Sequence, residues 1–240
     1  ECFEFGFSVG RPYHSPHVLA FFIQNLFEPE KQLFFGCVVV TVVISIVLHE
    51  LAHGWAAIWQ GDDTPQTQGH MTADPMVHMG WFSLLMLALV GIAFGQMPVT
   101  PRNFRSRYGD ALVSAAGPAM NLLLAFIALT VLAIWVKVAG GMAKDGPIHN
   151  GQYFLWIFGY FNIALALFNL VPVPPLDGSR ILGDFVPAYR RWVDNLGSPM
   201  ILFFIFFMVL LNAPPQYHPF TIAAKAAGTY LSLFSQAITG

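Results

Sequence analysis

The feature that most constrains this chain is the sequence HELAH at residues 49–53, which lies inside an apolar run over residues 33–59. Residues four apart share one face of a helix, so His49 and His53 can bind one Zn²⁺. Glu50 between them can take a proton from a water molecule on that metal. Because the apolar run makes roughly 40 Å of helix, it is long enough to cross a bilayer. The sequence therefore predicts a metal site with access to water inside a membrane.

The composition is that of a membrane protein. Of the 240 residues, 56% are hydrophobic and 10% are charged, whereas soluble domains carry about 25% charged residues. The net charge of -2 and the lack of a basic cluster or stacking platform argue against nucleic acid as a partner. Cys2 and Cys37 indicate neither a disulfide framework nor a cysteine metal site.

Hydropathy divides the chain into membrane spans and weaker segments. The segments that predict spans are 33–59, 110–138, 152–171 and 198–211. Residues 18–27 are too few to cross and predict an interfacial helix, while residues 220–238 either lie at the surface or cross. We expect an all-α polytopic membrane protein, a bundle of about four to six transmembrane helices. Its predicted parts are an N-terminal interfacial segment (1–32), a core (33–212) and a C-terminal interfacial or transmembrane segment (213–240).

Residues 81–95 are too short for a regular crossing. About 15 residues give only about 22 Å of helix against a hydrocarbon core of about 30 Å. Gly91, Gly95 and Pro98 also interrupt this segment. Irregular backbone at membrane depth is tolerated where it lines a protein or water-filled cavity. We therefore predict a re-entrant segment, which can take a β-hairpin-like form, beside the buried zinc site.

The two histidines need a third protein ligand, because a catalytic zinc takes three and leaves one position for water. Asp177 is the best candidate, since the three prolines in residues 172–175 stop the preceding span and leave an extended stretch. If residues 81–95 do not cross, Asp177 and His53 lie at the same membrane face. If they cross, this assignment fails. The alternative is that Asp177 caps a short helix.

Basic residues suggest the orientation of the chain. The face near the C-terminal end of the first span carries Arg102, Arg105, Arg107, Arg180, Arg190 and Arg191. The other face carries Arg11, Lys31, Lys137, Lys144 and Lys225. By the positive-inside rule we expect the first of these faces to be cytoplasmic. The site would then open toward the cytoplasm.

Three pieces of sequence occur in a specific order: HELAH at 49–53, AAGPAMN at 115–121 and NLVPVPPLDG at 169–178. Together they resemble the site-2 protease family of intramembrane zinc metalloproteases. The resemblance covers roughly residues 41–182, and the loop at 96–104 is similar to that of compact bacterial members. We recognise no appended peptide-binding or nucleotide-sensing domain.

The resemblance implies that His49, His53 and Asp177 bind one zinc ion and that Glu50 is the general base. It implies a zinc metalloendopeptidase that hydrolyses peptide bonds within transmembrane protein or peptide substrates in the lipid bilayer. Such an enzyme would act in regulated intramembrane proteolysis, and the similarity to compact bacterial members implies a location in the bacterial cytoplasmic (inner) membrane.

Three further residues have less specific predicted roles. The resemblance implies that Asn121 and Asn169 support the substrate backbone or a developing oxyanion. Asn121 could instead bond a neighbouring helix, with Gly117 allowing close helix packing. His78, in the loop before the re-entrant segment, is a candidate gate or accessory residue, although loop histidines are commonly only solvated.

Two other functions remain open from the sequence. The first is a membrane metal-ion or proton transporter that uses the same ligands. It would need polar residues that continue to both faces, and the first span offers only Thr41 and Ser45 outward of the motif. The second is a non-catalytic protein that holds membrane segments without cutting them, against which an intact Glu50 argues.

Overall fold

The computed structural model describes residues 22–29 and 31–239. The α-helices of this part of the chain are α1 (Gln32–Trp59), α2 (Thr64–Thr67), α3 (Pro75–Val90), α4 (Gly109–Val138), α5 (Gly146–Asn169), α6 (Asp177–Phe185), α7 (Pro187–Asp194), α8 (Pro199–Leu211) and α9 (Pro219–Thr239). Short 3₁₀ turns occur at Phe22–Leu26, Pro101–Asn103 and Pro215–Tyr217. Most of the predicted N-terminal interfacial segment, residues 1–21, lies outside the described residues.

The predicted all-α membrane fold is confirmed. Of the described helices, α1, α4 and α5 are long and apolar enough to cross a membrane. They correspond to three of the predicted spans and begin or end within a few residues of the expected positions. The fourth predicted span is α8, a shorter apolar helix of 13 residues. The protein is therefore an integral membrane protein built on three long helices.

Helix α4 is the centre of the bundle, because it packs against α1, α5, α6 and α9. The buried apolar core includes Val42 and Ile46 of α1, Leu129 and Leu132 of α4, Trp156, Ile157 and Phe161 of α5, and Ala227 and Leu231 of α9. The C-terminal segment thus packs on the core through α9. The prediction that this segment either lies at the membrane surface or crosses the membrane is not tested by this packing.

The predicted re-entrant segment leaves and returns on the same side of the bundle. Helix α3 ends at Gly91, which adopts the left-handed conformation (φ 80°) that favours glycine at a helix C-terminus. The chain then runs back beside the helix. The Ser83 hydroxyl bonds both the N–H and the carbonyl of Phe94, and Gln96 N–H donates to the His78 carbonyl at 3.0 Å. Phe94 contacts Ser83 and the later residue Gln96 contacts the earlier residue His78, so the chain runs antiparallel to α3. This agrees with the re-entrant prediction.

The hairpin-like form of this segment is not present, since no strand occurs in residues 22–29 or 31–239. The segment is a 16-residue helix, kinked at Gly80, followed by the extended return of residues 92–99. The helix begins earlier than expected because Pro75 occupies its first turn and the Asp74 carboxylate accepts a hydrogen bond from Met76 N–H at 2.8 Å.

Asp62 ties the loop after α1 to the end of this return. Its buried carboxylate accepts hydrogen bonds from Thr100 N–H at 2.7 Å, from the Asn103 amide at 2.9 Å and from the Thr64 hydroxyl at 2.5 Å. Burial tends to raise the pKa of Asp62, but these hydrogen bonds outweigh it and hold the pKa below its ordinary value. The ionised carboxylate therefore fixes the return segment at the C-terminal end of α1.

Candidate metal centre

The two histidines of α1 turn the same ring nitrogen toward one point. They lie one helical turn apart, and their Nε2 atoms are 3.0 Å apart. The Nδ1 atom of His49 bonds Asn121 Oδ1 at 2.5 Å, and the Nδ1 atom of His53 bonds the Val113 carbonyl at 2.7 Å. Because both partners are oxygen acceptors, each Nδ1 carries the proton and each Nε2 presents a lone pair.

Helix α4 reaches these rings because residue 117 is glycine. A Cβ at Gly117 would lie 2.5 Å from Nε2 of His49 and 2.5 Å from Nε2 of His53. The absence of a side chain lets α4 approach so closely that Val113 and Asn121 can bond the two imidazoles. Gly117 thus allows close helix packing at the candidate metal centre.

Asp177 joins the histidines, as predicted. Its Oδ2 atom is 3.1 Å from His49 Nε2, and its Oδ1 atom is 3.3 Å from His53 Nε2. Asp177 is the first residue of α6, whose N-cap position is Leu176, and no side-chain capping bond is made there. The carboxylate therefore faces the histidines and does not serve as the helix cap considered above.

One ion pair and one hydrogen bond hold α6 against the start of α4. Arg180 donates to Asp110 Oδ1 at 2.7 Å, and Ala111 N–H donates to Asp184 Oδ2 at 2.9 Å. A carboxylate at the first turn of α4 also interacts favourably with the helix dipole. Since Asp177 lies in the first turn of α6, these contacts place its carboxylate on the side of α4 that carries Val113 and Gly117.

The geometry fits a zinc ion. Two imidazole lone pairs and one carboxylate converge on each other at 3.0 to 3.3 Å, and Asp177 Oδ2 has no hydrogen-bond donor. Such acceptors repel one another unless a cation lies between them. Ligand atoms of one tetrahedral zinc stand about 3.4 Å apart, close to these separations. His49, His53 and Asp177 form a possible metal-binding group in the described part of the chain.

Glu50 lies beside this group and against the return segment. It is 7% exposed, and a Cβ at Gly95 would lie 2.6 Å from its Oε1 atom. The backbone of the return segment therefore passes directly over the carboxylate. This places a potential proton acceptor next to the metal ligands and next to a stretch of extended chain.

Asn121 and Asn169 have different surroundings. The Asn121 amide bonds His49 of α1 on one side and donates to Asn162 Oδ1 of α5 at 2.9 Å on the other, so it orients the His49 ring. These contacts agree with the alternative of a bond to a neighbouring helix, and a role of Asn121 toward a substrate stays a prediction. Asn169 donates to the Leu165 carbonyl of its own helix at 3.1 Å, and no described contact joins it to the metal ligands.

His78 is buried in α3 and is not solvated in a loop. Its Nε2 atom bonds the Thr72 carbonyl at 2.7 Å, and its ring lies 6.3 Å from that of His70. It is not part of the described metal-binding group. A gating role for His78 stays a prediction.

One polar residue of the centre was missed from the sequence. Asn162 bonds Asn121 behind His49. The signal that could have found it is an amide in the middle of an apolar span, because polar groups are costly inside a membrane.

The chain is similar to known proteins. The family model described as Peptidase family M50 matches residues 37–145 and 136–212. The protein YwhC of Bacillus subtilis (strain 168) is 38% identical over 207 residues, which are 82% of this chain and 90% of YwhC. Rip2 of Mycobacterium tuberculosis (strain H37Rv) is 28% identical over 192 residues, which are 75% of this chain and 68% of Rip2.

A third relative, MJ0392 of Methanocaldococcus jannaschii, is 24% identical over 186 residues, which are 75% of this chain and 45% of MJ0392. YwhC and Rip2 carry names that describe candidate zinc metalloproteases, and MJ0392 is named a zinc metalloprotease. No solved structure matches the chain significantly.

Proposed function

The chain belongs to peptidase family M50 and is a zinc metalloprotease, and we propose that it cuts peptide bonds within the transmembrane segments of other membrane proteins. We further propose that it lies in the bacterial cytoplasmic membrane with its site open toward the cytoplasm. The excess of arginine at that face supports this orientation.

One observation carries the proposal. The donor atoms of His49, His53 and Asp177 converge beside Glu50 on α1, a helix long enough to span a membrane. His53 precedes the end of α1 at Trp59 by six residues, which correspond to about 10 Å of helix. The reacting groups would therefore lie below the membrane surface, where a transmembrane substrate can reach them.

Each side chain has a proposed task in the hydrolysis. His49, His53 and Asp177 would hold the zinc ion, which when bound polarises the scissile carbonyl and makes water a stronger acid. Glu50 would take a proton from the attacking water and transfer it to the leaving amine. The burial of Glu50 would keep bulk water away from this transfer.

The surroundings of Glu50 suggest how a substrate is presented. A transmembrane helix hides its carbonyls in hydrogen bonds, so a substrate must first unwind locally. The return at 92–99 passes over Glu50 at Gly95, and its backbone could pair with an unwound segment. We therefore propose that the preferred substrates are membrane-spanning helices that contain weak helix formers.

The test compares metal content with cleavage. Glu50→Gln should retain one zinc ion per chain but lower cleavage of a single-span substrate in liposomes by about 10² to 10⁴-fold, because the general base is lost. His53→Ala should lose both zinc and activity. Zinc is measured by mass spectrometry on purified protein, and the cut is located in the products. A Glu50→Gln protein with full activity, or cleavage confined to the soluble part of the substrate, would disprove the proposal.

Glu28→Gln is the matched control. It makes the same change from acid to amide at an exposed residue whose ion pair with Lys31 (2.6 Å) is at the surface, where such pairs contribute little. We expect unchanged zinc content and unchanged cleavage.

The transporter alternative has no specific support. The polar residues outward of the motif, Thr41 and Ser45, are fully buried in the helix packing. Zinc flux into liposomes distinguishes the two functions, since we expect cleavage without flux.

A further inference from the structure

His49 is oriented by a series of three hydrogen bonds that ends on the backbone of α5. Its Nδ1 atom bonds Asn121 Oδ1 at 2.5 Å, Asn121 Nδ2 donates to Asn162 Oδ1 at 2.9 Å, and Asn162 Nδ2 donates to the Phe158 carbonyl at 2.9 Å. Asn121 is 1% exposed and Asn162 is 0% exposed. Bulk water therefore cannot replace any of these partners.

The Phe158 carbonyl determines which group donates and which accepts in each of these hydrogen bonds. A backbone carbonyl only accepts hydrogen bonds, so Asn162 turns its NH₂ group toward Phe158 and its oxygen toward Asn121. Asn121 must then donate to Asn162, which leaves its own oxygen facing His49. The imidazole therefore carries its proton on Nδ1, and Nε2 is free for a metal.

The opposite orientation of the Asn121 amide would block the metal. Its NH₂ group would then face Nδ1 of His49, so the neutral ring would hold its proton on Nε2. His53 is not exposed to this risk, because its Nδ1 atom bonds the Val113 carbonyl directly. Only the His49 ligand depends on an amide that can turn over.

We propose that Asn162 is a positioning residue of the metal centre, which holds the Asn121 amide in one orientation and thereby selects the metal-binding tautomer of His49. This inference rests on the proposed role of His49 as a zinc ligand. It assigns a specific task to a polar residue in the middle of a membrane span, where an unneeded amide would be costly.

The first measurement is the zinc affinity of Asn162→Leu, determined on purified protein by competition with a chelator and without any activity assay. Leucine has a similar size but cannot accept a bond from Asn121. We expect zinc binding to weaken by about 10 to 100-fold, as is typical when a partner of a ligating histidine is lost. Asn162→Ser serves as a second variant, because its hydroxyl can still bond the Phe158 carbonyl but is too short to hold Asn121.

A second background separates positioning from simple packing. In Asn121→Asp the carboxylate can only accept from His49, so the tautomer no longer depends on Asn162. We therefore expect Asn162→Leu to weaken zinc binding by less than about 3-fold in this background, since the two effects are coupled. If Asn162 only fills space, the loss of affinity should be the same in both backgrounds.

Gln152→Leu is the matched control. Gln152 is a fully buried amide of the same helix, and it accepts from Ala143 N–H at 2.8 Å, away from the metal ligands. We expect a lower thermal stability but an unchanged zinc affinity. If the wild-type protein binds no zinc, the proposed metal site itself is wrong. If it binds zinc and both Asn162 variants bind it equally well, or the loss is equal in both backgrounds, the positioning role alone is overturned.

Discussion

Gly117 and Gly95 border the two chemically different parts of the candidate centre. Residue 117 faces the Nε2 atoms of the histidines, and residue 95 faces the carboxylate of Glu50. A methyl group at residue 117 would therefore disturb metal binding first, and a methyl group at residue 95 would disturb proton transfer first. This allows metal binding and proton transfer to be tested separately.

Gly117→Ala should weaken zinc binding at least about 10-fold, because the added methyl group enters the space between α4 and the two imidazoles. The measurement is chelator competition on purified protein. Gly36→Ala is the control, since nothing lies within 4 Å of a Cβ there and alanine favours the helix by up to about 1 kcal/mol. An unchanged zinc affinity in Gly117→Ala would contradict the described approach of α4.

Gly95→Ala should lower cleavage and leave zinc binding unchanged. The methyl group would displace Glu50 and the return segment but not the metal ligands. We expect full zinc content and a decrease in cleavage of about 10²-fold, which is the effect expected from misplacing a reacting group by about 1 Å. Loss of zinc together with activity would show that the return segment supports the ligands as well.

The residues of the HELAH motif and Asp177 could be predicted from short stretches of sequence. The four-residue spacing of the histidines indicated the motif, and the prolines before Asp177 indicated an extended stretch that can present its carboxylate. Gly95 and Asn162 could not be placed in the same way. The role of Gly95 depends on which residue of the return segment meets α1, and the role of Asn162 depends on which face of α5 meets α4. Hydropathy does not specify these contacts.

At the scale of elements, the re-entrant segment is fixed at one end by Asp62. This single carboxylate bonds the short helix α2 and the residues that follow the return. Its neighbour Asp63 is exposed and makes no side-chain capping bond. The two residues form a natural pair of test and control.

Asp62→Asn should lower stability at neutral pH by about 1.5–3 kcal/mol, the usual cost of losing hydrogen bonds to a buried charge. The pKa of Asp62 is lowered by folding, so its stabilising effect is complete above about pH 4 and is lost as the pH falls through the lower folded value. The difference in Tm between wild type and variant, measured in detergent, should therefore shrink in acid. Asp63→Asn should differ from wild type by less than about 0.5 kcal/mol. Equal effects of the two variants would contradict the role of Asp62.

Hydropathy predicted the long helices well because burial in lipid requires continuous apolar sequence. The form of residues 81–95 was harder to predict, since length excluded a crossing but did not distinguish a hairpin from a short helix. The signals that decide it are local: Asp74 caps the start, Pro75 occupies the first turn, and Gly91 ends the helix. Asp74 and Pro75 both precede Trp81, so the predicted segment 81–95 did not include these two signals.

At the scale of the whole molecule, the ligand set requires the two ends of the re-entrant segment to share one membrane face. We expect cysteines at Asp63→Cys and Arg107→Cys to be labelled from the cytoplasm by a reagent that cannot cross the membrane. Lys144→Cys, between α4 and α5, should be labelled only from the other side. The native Cys2 and Cys37 are replaced by alanine beforehand. Labelling of Asp63→Cys and Arg107→Cys from opposite faces would refute the topology.

The distance along the chain between the ligands has a consequence for biosynthesis. Asp177 follows His53 by more than a hundred residues, which a ribosome needs on the order of ten seconds to add. During that interval the nascent chain carries both histidines in the bilayer but lacks their carboxylate partner. Until the chain that follows the third long helix has been made, the ligand set of the candidate metal centre is therefore incomplete.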